Sequence, residues 1–202
     1  VKWHSEGKVR DVGYDTNINY ELIANLRPDI VLIYGVAGEN TSVTNKLKEL
    51  GIPVTYIADY LEEEPLGKAE WLVAFGEMYG KREFAEAHFA RISETYGMWR
   101  GRAEGLPQKP SVMLNAPYRD VWFVPGDRSY MVKLIEVAGG AYAFAGMDNS
   151  VSRAISSEAA WMTAQTADVW INPNQARTME ELKSQNPKFA NGPCVESGRV
   201  FN

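Results

Sequence analysis

The chain has 202 residues, 45% hydrophobic and 23% charged, enough for one large domain or two small ones of ordinary globular composition. Its formal net charge of −5 argues against nucleic acid as a partner, because backbone binding needs a concentrated basic surface.

Residues 1–13 are polar and contain glycine, the pattern of a surface loop. Asn19 is a candidate N-cap for a helix from Tyr20 to Leu26, with Leu22, Ile23 and Leu26 on one face and Pro28 as its stop. Ile30 to Tyr34 is a continuous apolar run, which predicts a strand buried on both faces of a parallel sheet. Gly35 to Asn40 then forms a loop at the C-terminal end of that strand, where open α/β sheets bind ligands. A helix from Ser42 to Leu50, closed by Gly51, and a strand from Val54 to Ile57 complete a β-α-β unit. Glu62, Glu63 and Glu64 precede Pro65, and acidic residues there complement the dipole of the helix that follows.

Lys68 to Arg102 carries a long helical pattern that Gly80 divides. Trp71, Leu72, Phe75 and Tyr79 form one apolar stripe; Ala85, Phe89, Ile92, Tyr96 and Trp99 form a second at 4-3-4-3 spacing. The second helix, 82–100, would be roughly 28 Å long at 1.5 Å per residue, and Gly101 to Pro110 reads as a linker. Strands are predicted at Ser111 to Asn115, Val121 to Val124, Asp168 to Asn172 and Arg199 to Phe201. Helices are predicted from Tyr130 to Ala138 behind a Ser129 cap, from Ser156 to about Thr166, and from Thr178 to Gln185. Tyr142 to Ile155 reads as a long irregular segment, and such loops are often functional.

With one cysteine, Cys194, no intrachain disulfide can form, and with two histidines, His4 and His88, no ligand set for a metal site is evident. No window of about 18 apolar residues reads as a membrane span. The chain shows no signal-peptide pattern and both ends read as cut, which leaves the compartment open.

Asn19 to Tyr34, NYELIANLRPDIVLIY, resembles the periplasmic binding proteins that serve ABC importers of iron-siderophores, haem and cobalamin. The resemblance continues in order through Leu47 to Val54 and the Leu134 to Gly140 segment, LIEVAGG. It runs on through Ser156-Ser157-Glu158, Thr166 to Ile171, and Gly198-Arg199-Val200-Phe201. Single motifs are weak; the ordered set is specific. It implies an α/β fold of two Rossmann-like lobes with parallel-rich sheets flanked by helices, joined by one long helix, with the ligand cleft between the lobes. The lobes would be 1–80 (incomplete at its start) and 106–202 (truncated at its end), with 81–105 as connecting helix and linker. An opening β-α unit and closing helices usual in the family would lie outside this sequence.

The resemblance further implies a monomeric, non-enzymatic carrier, periplasmic or lipid-anchored. It would need no intrinsic cofactor and would deliver a ferric chelate, haem or cobalamin to an ABC permease. Glu21 and Glu158, each in the first turn of a helix in a different lobe, match the family's permease-docking glutamates. Simple dipole compensation would also place Glu there. Candidate ligand contacts are Tyr34 at the first strand end, then Tyr118, Arg119, Trp122, Arg128 and Tyr130, with Arg153 and Asn172 behind them. Aromatics supply contact area at low entropic cost, and arginine pairs bidentately with carboxylate or catecholate oxygens. The competing reading packs Trp122 and Tyr130 in the core and leaves the arginines in solvent. A two-lobed α/β enzyme using the same cleft is the alternative function, although no GxSxG, GxGxxG after a strand or P-loop is present.

Overall fold

The computed structural model describes residues 2–14, 17–34, 41–118, 121–173 and 176–202. Contacts divide the chain into two compact units, Val1–Asp59 and Tyr60–Asn202.

The first unit opens with a short helix, α1 (Lys2–Ser5), where the sequence suggested only loop. Helix α2 (Tyr20–Leu26) starts as expected: Asn19 Oδ1 accepts from Leu22 N–H. The helix ends on Arg27 in the left-handed region at φ 47°, one residue before the proline. Strands β1 (Val31–Tyr34) and β2 (Val54–Ile57) pair in parallel around helix α3 (Thr41–Glu49), so the β-α-β unit is present. Burial on both faces is not. Val31 to Ile33 are half-buried and Tyr34 is exposed, and β1 has one strand neighbour among the described residues. The core here is Ile23, Leu47 and Ile52, with Val12, Ile18, Tyr20, Val31, Val43 and Val54 against it.

The second unit starts with a 3-10 turn at Tyr60 and Leu61, the end of a turn begun at Asp59. Helices α4 (Pro65–Met78) and α5 (Arg82–Glu104) follow, separated at Gly80, which sits at φ 61°. Pro65 occupies the first turn of α4, where its missing N–H costs nothing. The two helices pack on one another and α4 touches α6 (Tyr130–Val137), so α4 groups with the second unit by contacts. The expected α5 stripe is only partly covered. Ala85 is buried, whereas Ile92 and Trp99 stay exposed and line an apolar groove of about 710 Å³ with Leu134, Val137 and Ala138.

Strands β3 (Ser111–Leu114), β4 (Pro117–Tyr118) and β5 (Val121–Val124) come next, then β6 (Ala141–Tyr142) and β7 (Arg153–Ser156). Helix α7 (Ser157–Ala164), strand β8 (Val169–Ile171), helix α8 (Met179–Gln185), helix α9 (Pro193–Glu196) and strand β9 (Val200–Phe201) close the chain. A parallel sheet runs β6-β3-β8-β9, and a small antiparallel sheet runs β4-β5-β7. The stretch from Tyr142 to Ile155 is therefore not irregular throughout: its end pairs with β5. Ser129 caps its helix through its side-chain oxygen, as expected, and Ser156 and Thr178, expected as first helical residues, are N-caps of the same kind.

The core of this unit centres on Trp122, which lies 5.1 Å from Phe189 and 5.8 Å from Trp170 between ring centroids. Around them sit Met113, Leu114, Val124, Val132 and Phe144. Cys194 is buried in the same core, which raises its thiol pKa by desolvation.

Candidate ligand-binding site

Parallel strands that end side by side expose main-chain groups that need partners. In this protein β3 and β8 end on two asparagines. Asn115 and Asn172 both adopt the left-handed region, at φ 70° and φ 55°, which asparagine tolerates better than other L-residues with a Cβ. Asn172 Nδ2 donates to Asn115 Oδ1 at 2.9 Å, and Asn115 Nδ2 donates to Phe123 O at 3.0 Å. Two buried indoles fix the same corner: Trp122 Nε1 donates to Leu114 O at 3.0 Å and Trp170 Nε1 to Asn115 O at 2.6 Å.

This corner is one wall of a cavity of about 340 Å³ built wholly from the second unit. Tyr60, Leu61, Glu62 and Glu63 form the opposite wall; Pro125, Ser129, Tyr130, Met131, Ser150 and Ser152 complete it. Local chemistry explains each part. Trp71 Nε1 on α4 donates to Glu62 Oε1 at 3.0 Å. Glu63 takes three contacts of 3.0–3.1 Å from Arg128 Nε and Nη2, a fork-on-carboxylate pair spanning 65 positions of sequence. The Asp127 carboxylate accepts from Gly146 N–H and Met147 N–H at 2.9 Å, and Arg128 N–H donates to Asn149 O at 3.0 Å. A Cβ on Gly126 would run into the main chain of Asn149, so the turn before α6 and the segment carrying Ser150 and Ser152 are zipped together. Tyr142 O–H donates to Pro125 O at 2.9 Å, and its burial, with Asp127 near, pushes the phenol pKa up.

The expected contacts fall in different places. Tyr130 lines the cavity, with Lys68 Nζ 4.5 Å from its ring centroid. Arg128 stands at its edge through Glu63, and Asn172 supports it through Asn115. Trp122 does not line it: the side chain is 0% exposed and belongs to the core, because its indole N–H is spent on Leu114 O. Tyr118 is exposed on β4, and Arg153 turns to Phe144 O at 3.4 Å; neither lines the cavity. Tyr34 is exposed at the end of β1 in the first unit. Arg119 and the Gly35 to Asn40 loop lie outside the described residues.

Sequence reasoning read Glu62 to Glu64 as helix-dipole residues and missed the cavity wall. Glu64 does occupy the N-cap of α4 but makes no side-chain cap bond. No local pattern signals that Glu63 meets Arg128; an acidic run facing an isolated arginine is compatible with many pairings.

Glu21 is exposed in the first turn of α2, and Glu158 in the first turn of α7. Glu158 is held below the ordinary carboxylate range by its own main-chain N–H first, then by Lys188, whose Nζ lies 3.1 Å away. Among the described residues no cluster of three or more His, Cys, Asp or Glu could hold a metal ion, and no helix is long and apolar enough to cross a membrane.

Comparison with known proteins gives a consistent picture. A family described as periplasmic binding protein matches residues 2–202. An uncharacterized lipoprotein of Methanocaldococcus jannaschii is 32% identical over 98% of this chain and 47% of its own length. The chain spans about half the length of the curated relatives it matches. The periplasmic haem-binding protein of Vibrio cholerae superposes with a TM-score of 0.74 at 14% identity, over 97% of this chain and 75% of that one. A siderophore-binding protein of the same organism, solved with Fe3+-Desferal, gives 0.68 at 18%, over 96% and 72%. Both likenesses show the two-lobed α/β fold of such binding proteins, and no more than the fold.

Proposed function

The chain belongs to the periplasmic binding protein family, and from that premise we propose that it is the substrate-binding subunit of an ABC importer. It captures a ferric chelate, haem or a corrinoid and passes it to a membrane permease. The protein acts as a monomer held at the cell envelope, with a lipid anchor in the complete protein, as the lipoprotein relatives suggest. The observation that carries this reading is the cavity at the C-terminal end of β3, the position where α/β sheets take ligands, lined by aromatic, hydroxyl, carboxamide and carboxylate groups. Glu21 and Glu158 dock the permease as exposed anions, one on each compact unit.

Isothermal titration of the complete protein against ferric hydroxamates, haem and cyanocobalamin tests capture. Binding of at least one in the micromolar range or tighter is expected, about 8 kcal/mol of affinity; no binding by any of them removes the proposal. Glu21→Gln with Glu158→Gln should leave that affinity unchanged and lower uptake in cells, and normal uptake would refute the docking role.

A further inference from the structure

Charged side chains stand on the cavity wall and beside it. Glu62 and Glu63 line it. Arg128 is clasped by Glu63, and the Lys68 ammonium lies over the ring of the lining residue Tyr130. Glu63 and Arg128 cancel one another, and the Asp127 carboxylate on the same turn accepts from Gly146 and Met147 N–H. Arg153, next to Ser152, points its guanidinium to Phe144 O. The remaining polar side chains on this wall are neutral: the Ser129, Ser150 and Ser152 hydroxyls, the Tyr60 and Tyr130 phenols and the Asn115 carboxamide.

Arg128 is the natural anchor for an anionic ligand, since its fork matches a carboxylate or catecholate. Glu63 already occupies that fork with three contacts. An anion entering the cavity would have to displace Glu63 from Arg128 and then face both Glu63 and Glu62. Specificity of this kind comes from the penalty imposed on the wrong ligand, and like charges placed together are a costly penalty. A neutral ligand leaves the pair intact and finds hydroxyl and amide partners.

Resting on the binding role proposed above, we infer that the wall built by residues 60–152 selects an electrically neutral ligand rich in hydroxamate or amide groups, and that Glu63 sets this selection by cancelling Arg128. Chelates carrying free carboxylates or a net negative tris-catecholate shell are discriminated against. The likeness of fold to a haem binder and to a binder of Fe3+-Desferal leaves the ligand class open; the Glu63–Arg128 pair decides it.

The test is calorimetric titration of the complete protein, and of its Glu63→Gln and Arg128→Gln variants, with four probes. These are a neutral ferric trihydroxamate, cyanocobalamin, haem and a ferric tris-catecholate. The pair is half exposed, so both variants should fold, which circular dichroism checks. The wild type should prefer a neutral probe to both anionic ones by about tenfold or more, roughly 1.4 kcal/mol. Glu63→Gln should narrow that preference by strengthening the anionic probes, and Arg128→Gln should widen it. Tightest wild-type binding of an anionic probe overturns the charge rule and leaves the carrier function standing. So does a shift of both variants in the same direction, which would mean general disturbance. Binding of none of the four probes overturns the carrier reading itself.

Discussion

At the residue scale the site depends on one unusual choice, an asparagine in the left-handed region at the end of a buried strand. Asn115 is there because its carboxamide bridges Phe123 O and Asn172 while its backbone holds φ 70°. Two separable costs follow from replacing it. Asn115→Gly should lose the side-chain bonds only; Asn115→Ala should lose the same bonds and add a backbone penalty of about 1 kcal/mol. Urea denaturation of the two variants measures the difference directly, and equal stabilities would show that the backbone at this corner relaxes freely. The sequence exposes part of this logic. Asn115 and Asn172 both follow apolar runs, and their polarity at strand ends marks them for attention. Their mutual bond is invisible, because a residue pair 57 positions apart is set by strand order and register, which no local pattern encodes. Trp122 shows the same limit from the other side. A tryptophan in a short strand beside arginines reads as a binding surface or as core equally well, and only the acceptor of its N–H, Leu114 O, decides for core.

Elements were far more legible than contacts. Caps and breaks carry local chemistry, so Asn19, Ser129, Ser156 and Thr178 placed helix starts, and Gly80 divided α4 from α5. The short strands β4 and β7 were missed because two-to-four-residue edge segments lack a period long enough to read. The α4–α5 crossing depends on Gly76, where an added Cβ would overlap the Ala85 methyl group on the facing helix. The apolar stripe of Trp71, Leu72, Phe75 and Tyr79 gave no hint that the tightest approach lies at the glycine. Gly76→Ala should destabilise the protein by about 1–3 kcal/mol through overpacking, although alanine is the better helix former. Thermal unfolding followed by circular dichroism checks it; a rise in melting temperature would show that the two helices can separate slightly at no cost.

For the whole molecule, the two compact units differ in the size of their cores. Among the described residues the first has a buried cluster of three side chains, the second one of eighteen. Apolar burial is the main source of resistance to opening, so amides of β1 and β2 should exchange faster than those of β3 and β8. Hydrogen exchange read by mass spectrometry in the complete protein compares these peptides, and equal protection would mean that the units open as one. The placing of the β-α-β unit and of β3, β8 and β9 was readable from apolar runs and their spacing; the two-residue β6 was not. The division after Asp59 was not, because a proline at the start of α4 marks a helix start without saying which neighbours that helix will pack against. The lone thiol has a practical consequence at the same scale. Cys194 is 1% exposed and its pKa is raised, so it holds little of the thiolate that reacts with maleimides. Within these 202 residues the background for labelling is silent: a cysteine introduced at Ser152 would react far faster than Cys194, and a dye there would turn ligand entry into an optical signal.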